Sequence, residues 1–159
     1  MGQAANHSSR FQGCTRLRSA PKLSTVNATS TSDMFKDCVL LRYIDWDGFD
    51  TSSNKNFGSM FSGCSSLQSI PELDCSSNTS TYSSYGSPMS GCYALKDFGG
   101  LKGINKSIYF DRDYCLSYES LLNIINGLAS GVSGQTLTLN EDLVNQLSDD
   151  DIAIATNKG

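Results

Sequence analysis

The chain has only one side chain that could act as the histidine base of a nucleophilic pair. His7 is the one histidine, so a Cys–His or Ser–His pair would have to use it, and no G-x-S-x-G elbow is present. His7 stands in a polar segment near the start, where a mobile position is favoured over a catalytic one. Nucleophilic catalysis is therefore not expected.

Two groups of aspartates could do acid–base chemistry or bind a cation. Asp45, Asp47 and Asp50 form one group, and Asp111 and Asp113 form the other. Each could pair as general acid and base or ligate calcium, but neither has the spacing of an EF-hand. A solvated surface is the favoured interpretation, so we expect no enzyme, no metal and no cofactor. An enzyme using the first group remains the less favoured hypothesis.

Four of the six cysteines belong to a repeated pattern, F-x-x-C-x-x-L-x-x-(apolar), followed by a second apolar residue. Copies cover residues 11–23, 34–49, 60–73 and 89–101, and their cysteines stand 24, 26 and 28 residues apart. The chain departs from the pattern at Ala20, at Asp45 and at Ser90, where a phenylalanine is expected. The predicted repeat positions are Phe11, Cys14, Leu17, Phe35, Cys38, Leu41, Ile44, Phe61, Cys64, Leu67, Ile70, Cys92, Leu95 and Phe98.

The elements that would position these residues follow from the period, which lies in the range of leucine-rich repeats. One copy has too few apolar residues to close a core, whereas stacked copies would form a continuous apolar column. Pro21 and Pro71 disfavour helix in the second half of the pattern. We therefore predict an α/β solenoid with short parallel strands on one face, and ordered loops in the Ser/Thr/Asn tracts between copies.

Residues 9–101 resemble the BspA-like leucine-rich repeats of bacterial surface proteins, whose units read much like "MFSGCSSLQSIPELD". The resemblance implies a non-catalytic binding or adhesion module of a cell-surface or secreted protein. Its partner would be a host or microbial surface protein or a glycan.

The pattern changes after residue 104. Leu121, Leu122, Ile125 and Leu128 follow a helical period, and residues 135–139 alternate like a strand. Asn140 and Ser148 are predicted N-caps of two further helices. We therefore divide the chain into a tag or polar lead-in (1–8), about four irregular repeats (9–104) and a helical capping unit (105–159).

The cysteines are expected to be free, buried thiols, because a small, weakly polar side chain suits a stacking position. Distance alone does not exclude a disulfide between neighbouring strands, but stacked equivalents point the same way. Zinc is disfavoured because no C-x-x-C pair exists. Whether Cys75 or Cys115 is oxidised stays open.

Charge and hydropathy exclude some partners. The formal net charge is −4, so no basic stripe is available for a nucleic acid. No run approaches the roughly 20 apolar residues of a membrane span, so membrane insertion is not expected. We expect the chain to be part of a larger protein.

The strand positions between the inward-facing residues predict an outward row. It consists of Arg18, Arg42, Tyr43, Trp46, Gln68 and Lys96. Arg, Tyr and Trp dominate binding hot spots, so this row is the candidate ligand-binding face. The alternative is that Tyr43 and Trp46 pack under a loop. A structural spacer, or a phage tail component that recognises a host surface, is the competing function.

Overall fold

The computed structural model of the chain describes residues 5–79, 88–110 and 115–158. Within these ranges the chain forms strands of two or three residues and three helices. In chain order they are β1 (Ala5–Asn6), β2 (Ser19–Ala20), β3 (Ala28–Ser30), β4 (Tyr43–Ile44), β5 (Ser69–Ile70), β6 (Leu73–Asp74), β7 (Asp97–Phe98), β8 (Leu101–Lys102), β9 (Ile108–Phe110), α1 (Tyr118–Gly127), β10 (Leu137–Leu139), α2 (Glu141–Val144) and α3 (Asp149–Lys158).

The strand pairs of the described residues are all parallel and link neighbouring units. β2 pairs with β4, β5 with β7, and β6 with β8. β1 pairs with β3, and β9 pairs with β10. Each pair is a separate two-stranded sheet in the described chain, and β4 is not paired with β5. Parallel pairing of equivalent segments is what stacked repeats require, but the α/β solenoid stays a prediction.

Neighbouring copies are joined at the Phe-x-x-Cys turn. The phenylalanine N–H donates to the carbonyl that precedes the same position in the next copy, at 2.8–2.9 Å, in the pairs Phe11–Met34, Phe35–Met60 and Phe61–Pro88. The rings of Phe11 and Phe35 stack at 5.2 Å, and those of Phe35 and Phe61 stack at 5.7 Å. By this register Met89, and not Ser90, takes the phenylalanine position of the fourth copy, and it is fully buried.

The cysteines of the second, third and fourth copies each donate a hydrogen bond from the thiol to the copy before them. The Sγ donates to the phenylalanine carbonyl one copy earlier, at 3.0–3.1 Å, in the pairs Cys38–Phe11, Cys64–Phe35 and Cys92–Phe61. These three cysteines are fully buried. A thiol is small enough for the interior and can still donate a weak hydrogen bond, which explains the recurrence of this residue type.

The residue before each of the four cysteines has a positive φ. Gly13, Gly63 and Gly91 lie at +71° to +81°, and Asp37 lies at +61°. Glycine adopts this conformation without steric cost, and Asp tolerates it better than most residues. At Gly63 a Cβ would come within 2.6 Å of the Asp37 carboxylate, so a larger residue there would also collide with the neighbouring copy.

The first two Ser/Thr/Asn tracts are ordered. The Thr25 hydroxyl donates to the Asp50 carbonyl and accepts the Asp50 N–H, both at 2.7 Å. One copy later, the Thr51 hydroxyl accepts the Asp74 N–H. Much of the third tract, residues 80–87, lies outside the described residues.

The start of the chain differs from the expected lead-in. The His7 N–H donates to the Ser30 carbonyl and the Ser9 N–H to the Ser32 carbonyl, both at 2.9 Å. Residues from Ala5 onward therefore lie against the tract between the first and second copies, where β1 pairs in parallel with β3.

Of the helices beyond residue 115, α1 packs on the last repeat and α3 packs on α1. Ser117 caps α1 through the Ser120 N–H, and the predicted caps Asn140 and Ser148 are confirmed by bonds from the N–H groups three residues later. The Ser120 hydroxyl accepts the Phe98 N–H at 2.8 Å and so ties α1 to β7.

All six cysteines are free thiols. Cys38, Cys64, Cys75 and Cys92 are buried, as expected, whereas Cys14 and Cys115 are exposed. Phe11 and Leu17 of the first copy are likewise only partly buried. The expectation of buried thiols therefore fails at Cys14 and at Cys115. At Cys14 the reason is that no described copy precedes the first one to cover it.

We expect Cys64→Ala to lower the free energy of unfolding by about 1–2 kcal/mol, because it removes a buried hydrogen bond and leaves a small cavity. The matched control, Cys14→Ala, removes an exposed thiol and should change it by less than about 0.5 kcal/mol. Urea denaturation followed by circular dichroism measures both. Equal effects would contradict the role given to the buried thiol.

Burial also predicts which thiols react. It raises the pKa of Cys38 to about 11 and the pKa of Cys64 and of Cys75 to about 12, and holds the pKa of Cys92 well above its ordinary value. These thiols stay protonated at pH 8, and the thiolate is the reactive form. Ellman's reagent at pH 8 should therefore titrate Cys14 and Cys115 rapidly, and the other four only in denaturant. Rapid reaction of more than two thiols in the native protein would contradict the burial.

Candidate binding face

Arg18 and Arg42 lie side by side on the predicted outward face. The Arg42 N–H donates to the Arg18 carbonyl at 2.9 Å, immediately before the paired strands β2 and β4. Both residues are exposed, and neither makes an ion pair with another described residue. Like charges on neighbouring strands repel, so this arrangement costs free energy unless an anion lies between them.

Tyr43 extends this pair of arginines. It pairs with Ser19 in the register of β2 and β4, and 59% of its surface is exposed. Its neighbour Ile44 is fully buried, as the predicted alternation requires. Arg18 and Arg42 are therefore backbone neighbours, and the exposed Tyr43 follows Arg42 in the chain; we name these three exposed residues the basic face.

Gln68 and Lys96 form a separate pair farther along the chain. The Lys96 N–H donates to the Gln68 carbonyl at 3.0 Å, and both residues are exposed. Asp97 follows Lys96 and is also exposed, so this pair has no net positive charge. Because β4 is not paired with β5 in the described chain, no strand pairing links Gln68 and Lys96 to the basic face.

Trp46 does not belong to the outward row. Its ring packs edge-on against Phe49 at 5.0 Å and against the buried Phe61 at 5.9 Å. The indole Nε1 is buried and has no hydrogen-bond partner. The structure therefore favours the alternative raised for Trp46, that of a packing residue, because its large apolar ring gains more from the core than from the surface.

A shallow cavity of about 440 Å³ opens beside Trp46. Ser69 and Asp97 line it from β5 and β7, and Glu119 and Asn123 line it from α1. The Asn123 amide donates to the Phe98 carbonyl at 3.2 Å, so this wall is held by the strand it faces. Sequence patterns could not find this cavity, because the only signal for Glu119 and Asn123 is their place on a helix.

The aspartates near Trp46 have structural partners. The Asp45 carboxylate accepts the Asp47 N–H at 3.1 Å, and the Asp50 carboxylate accepts the Ser52 N–H at 2.9 Å. The Asp47 carboxylate pairs with Lys22 from the previous copy. Among the described residues no group of three His, Cys, Asp or Glu side chains could hold a metal ion.

The other candidate catalytic groups add little. The His7 ring contacts the Arg10 guanidinium at 3.2 Å. Burial of the imidazole, together with the positive charge of Arg10, lowers the pKa of His7. Asp111 and Asp113 lie outside the described residues.

Replacing Trp46 should separate packing from ligand binding. We expect Trp46→Phe to change the free energy of unfolding by less than about 1 kcal/mol, since it keeps a ring and removes an unpaired N–H. Trp46→Ala should cost about 2–3 kcal/mol, through the cavity that it leaves. Urea denaturation is the measurement, with the exposed Tyr43→Ala as control at less than about 0.5 kcal/mol. A Trp46→Ala variant as stable as the Tyr43→Ala control would contradict the packing role and would favour Trp46 as an exposed binding residue.

The described residues contain no helix long and apolar enough to cross a membrane. Comparison of the chain with protein-family models, with curated proteins and with solved structures finds no match. The basic face and the cavity beside Trp46 are therefore interpreted from their own chemistry.

Proposed function

We propose that this chain is a non-catalytic binding module of a bacterial cell-surface or secreted protein, built as a leucine-rich repeat solenoid of the BspA-like type. The observation that carries the proposal is the basic face. Two arginines that make no ion pair with another described residue lie just before two paired strands, next to a largely exposed tyrosine, in a chain whose net charge is negative.

The chemistry of the basic face selects an acidic ligand. Guanidinium groups bind carboxylate and sulfate through paired N–H donors, and a tyrosine ring packs against sugars or side chains while its hydroxyl donates a hydrogen bond. Neutralisation by an anion would remove the repulsion between Arg18 and Arg42. The ligand is therefore an acidic glycan or an acidic surface of a protein from the host or from another microbe.

Free thiols are compatible with an extracellular location. Four of the six cysteines are buried, and their raised pKa values keep them protonated, so they are protected from oxidants that attack the thiolate. The competing function is a structural spacer, or a phage tail component that recognises a host surface. A spacer would tolerate any change of the exposed face.

The experiment compares two double variants that remove one positive charge and one exposed tyrosine each. Arg42→Gln/Tyr43→Ser alters the basic face, whereas Lys55→Gln/Tyr109→Ser alters exposed positions elsewhere. Binding is measured by biolayer interferometry to immobilised heparin, sialylated mucin and its desialylated form, at 50 and 300 mM NaCl.

We expect the wild-type protein to bind at least one acidic ligand, more weakly at the higher salt concentration because screening shortens the range of the charges. The basic-face variant should bind about 30-fold more weakly, as expected for a hot spot worth about 2 kcal/mol, and the control should bind within about twofold of wild type. Equal effects of the two variants, or no binding by the wild-type protein, would favour the spacer.

A further inference from the structure

The cavity beside Trp46 is built by four successive units of the chain. Trp46 comes from the second copy, and Ser69 and Asp97, which are partners in the register of β5 and β7, come from the third and fourth. Glu119 and Asn123 come from α1, which follows the fourth copy. The described residues therefore enclose this cavity from both directions along the stack, with an aromatic ring from the preceding copy and polar side chains from the following helix.

The helix that borders the cavity is held to β7 by several hydrogen bonds. The Ser117 N–H donates to the Lys96 carbonyl at 3.0 Å, and the Ser120 hydroxyl donates to the same carbonyl at 3.0 Å. The Asn123 amide adds its bond to the Phe98 carbonyl. These bonds fix the first turns of α1 before a ligand arrives, and such preorganisation lowers the cost of binding.

Packing alone does not explain why the residue at position 46 is a tryptophan. Its indole N–H is buried without a hydrogen-bond partner, and an unpaired buried donor costs free energy. A phenylalanine would pack against Phe49 and Phe61 without that cost. The Trp46 side chain is only half-buried and lines the cavity, so part of its apolar ring remains available to a ligand.

The polar groups of the cavity are mainly hydrogen-bond acceptors. The carboxylates of Asp97 and Glu119 make no ion pair and no side-chain hydrogen bond with another described residue. Asn123 donates through its amide nitrogen to the strand, which leaves its amide oxygen as a further acceptor. No lysine, arginine or histidine is among the described residues that line the cavity. A ligand that fits must therefore supply donors and must not be an anion.

We propose that this cavity binds an uncharged sugar ring. The hydroxyl groups of a sugar donate hydrogen bonds to carboxylates, and its C–H face packs against an aromatic ring, so one ligand uses both kinds of lining. The volume of about 440 Å³ lies in the range of small-molecule sites and exceeds what a single ammonium group would fill. The site takes a different ligand from the basic face and does not depend on it.

Trp46 is the one tryptophan of the chain, so the tryptophan fluorescence of the protein reports on this cavity. The probes are methyl β-D-glucoside, methyl β-D-galactoside and methyl α-D-mannoside, each titrated to 50 mM at 50 and at 300 mM NaCl. The n-butylammonium ion is titrated in the same way as a cationic probe.

Two double variants of the full chain are compared. Asp97→Asn/Glu119→Gln removes the two carboxylates of the cavity, whereas Asp149→Asn/Glu141→Gln removes two exposed carboxylates that do not line it. Both pairs change the net charge equally, and in each the glutamate lies in the first turn of a helix. All four substitutions keep the size of the side chain, and both variants keep Trp46.

At least one sugar should shift the emission of Trp46 saturably. Its dissociation constant should change by less than twofold between the two salt concentrations, because an uncharged ligand is not affected by screening. The cavity variant should bind that sugar at least fivefold more weakly, since a charged acceptor forms a stronger hydrogen bond than an amide does, and the control should bind it within twofold of wild type. The proposal is overturned if no sugar shifts the emission, if the two double variants have the same affinity, or if only n-butylammonium binds.

Discussion

The hydrogen bonds between equivalent Phe-x-x-Cys turns are the interaction on which the rest of the chain depends. Each turn donates through its phenylalanine N–H to the next copy and accepts a cysteine thiol on its phenylalanine carbonyl. The phenylalanine carbonyl also accepts the cysteine N–H of its own turn, but the phenylalanine N–H finds its partner only in another copy. Because unpaired buried backbone groups are costly, the copies must lie parallel and in one register.

The same dependence explains both ends of the described chain. At the first copy Cys14 is exposed and Phe11 is partly buried, because no described copy precedes the first one to cover them. At the other end β10 has a free edge and an apolar groove. Residues of α2 and α3 line this groove, and the role of these helices as a cap of the last unit stays a prediction. A repeat that covers the apolar side of its neighbour has an apolar side of its own, and this side stays partly exposed unless another unit covers it.

The exposed surface is less constrained than the interior, and there the chain departs from what packing alone favours. Arg18 and Arg42 lie side by side just before two paired strands and make no ion pair with another described residue, and Tyr43 remains largely exposed beside the buried Ile44. Trp46 shows the opposite outcome. It follows the same strand, yet it packs on Phe49 and Phe61.

The repeat could be identified from the sequence, because the spacing of Phe, Cys and Leu is a pattern that can be read along the chain without knowledge of its fold. The sequence also determined the caps Ser148 and Asn140, which are satisfied within three residues. The tertiary structure alone decided the inward turn of Trp46, the joining of α1 to β7 and the groove against β10. Each of these features depends on contacts between segments more than 12 residues apart. The free energy of such contacts depends on which side chains fill the space between the segments. The spacing of residues along the chain does not give that information.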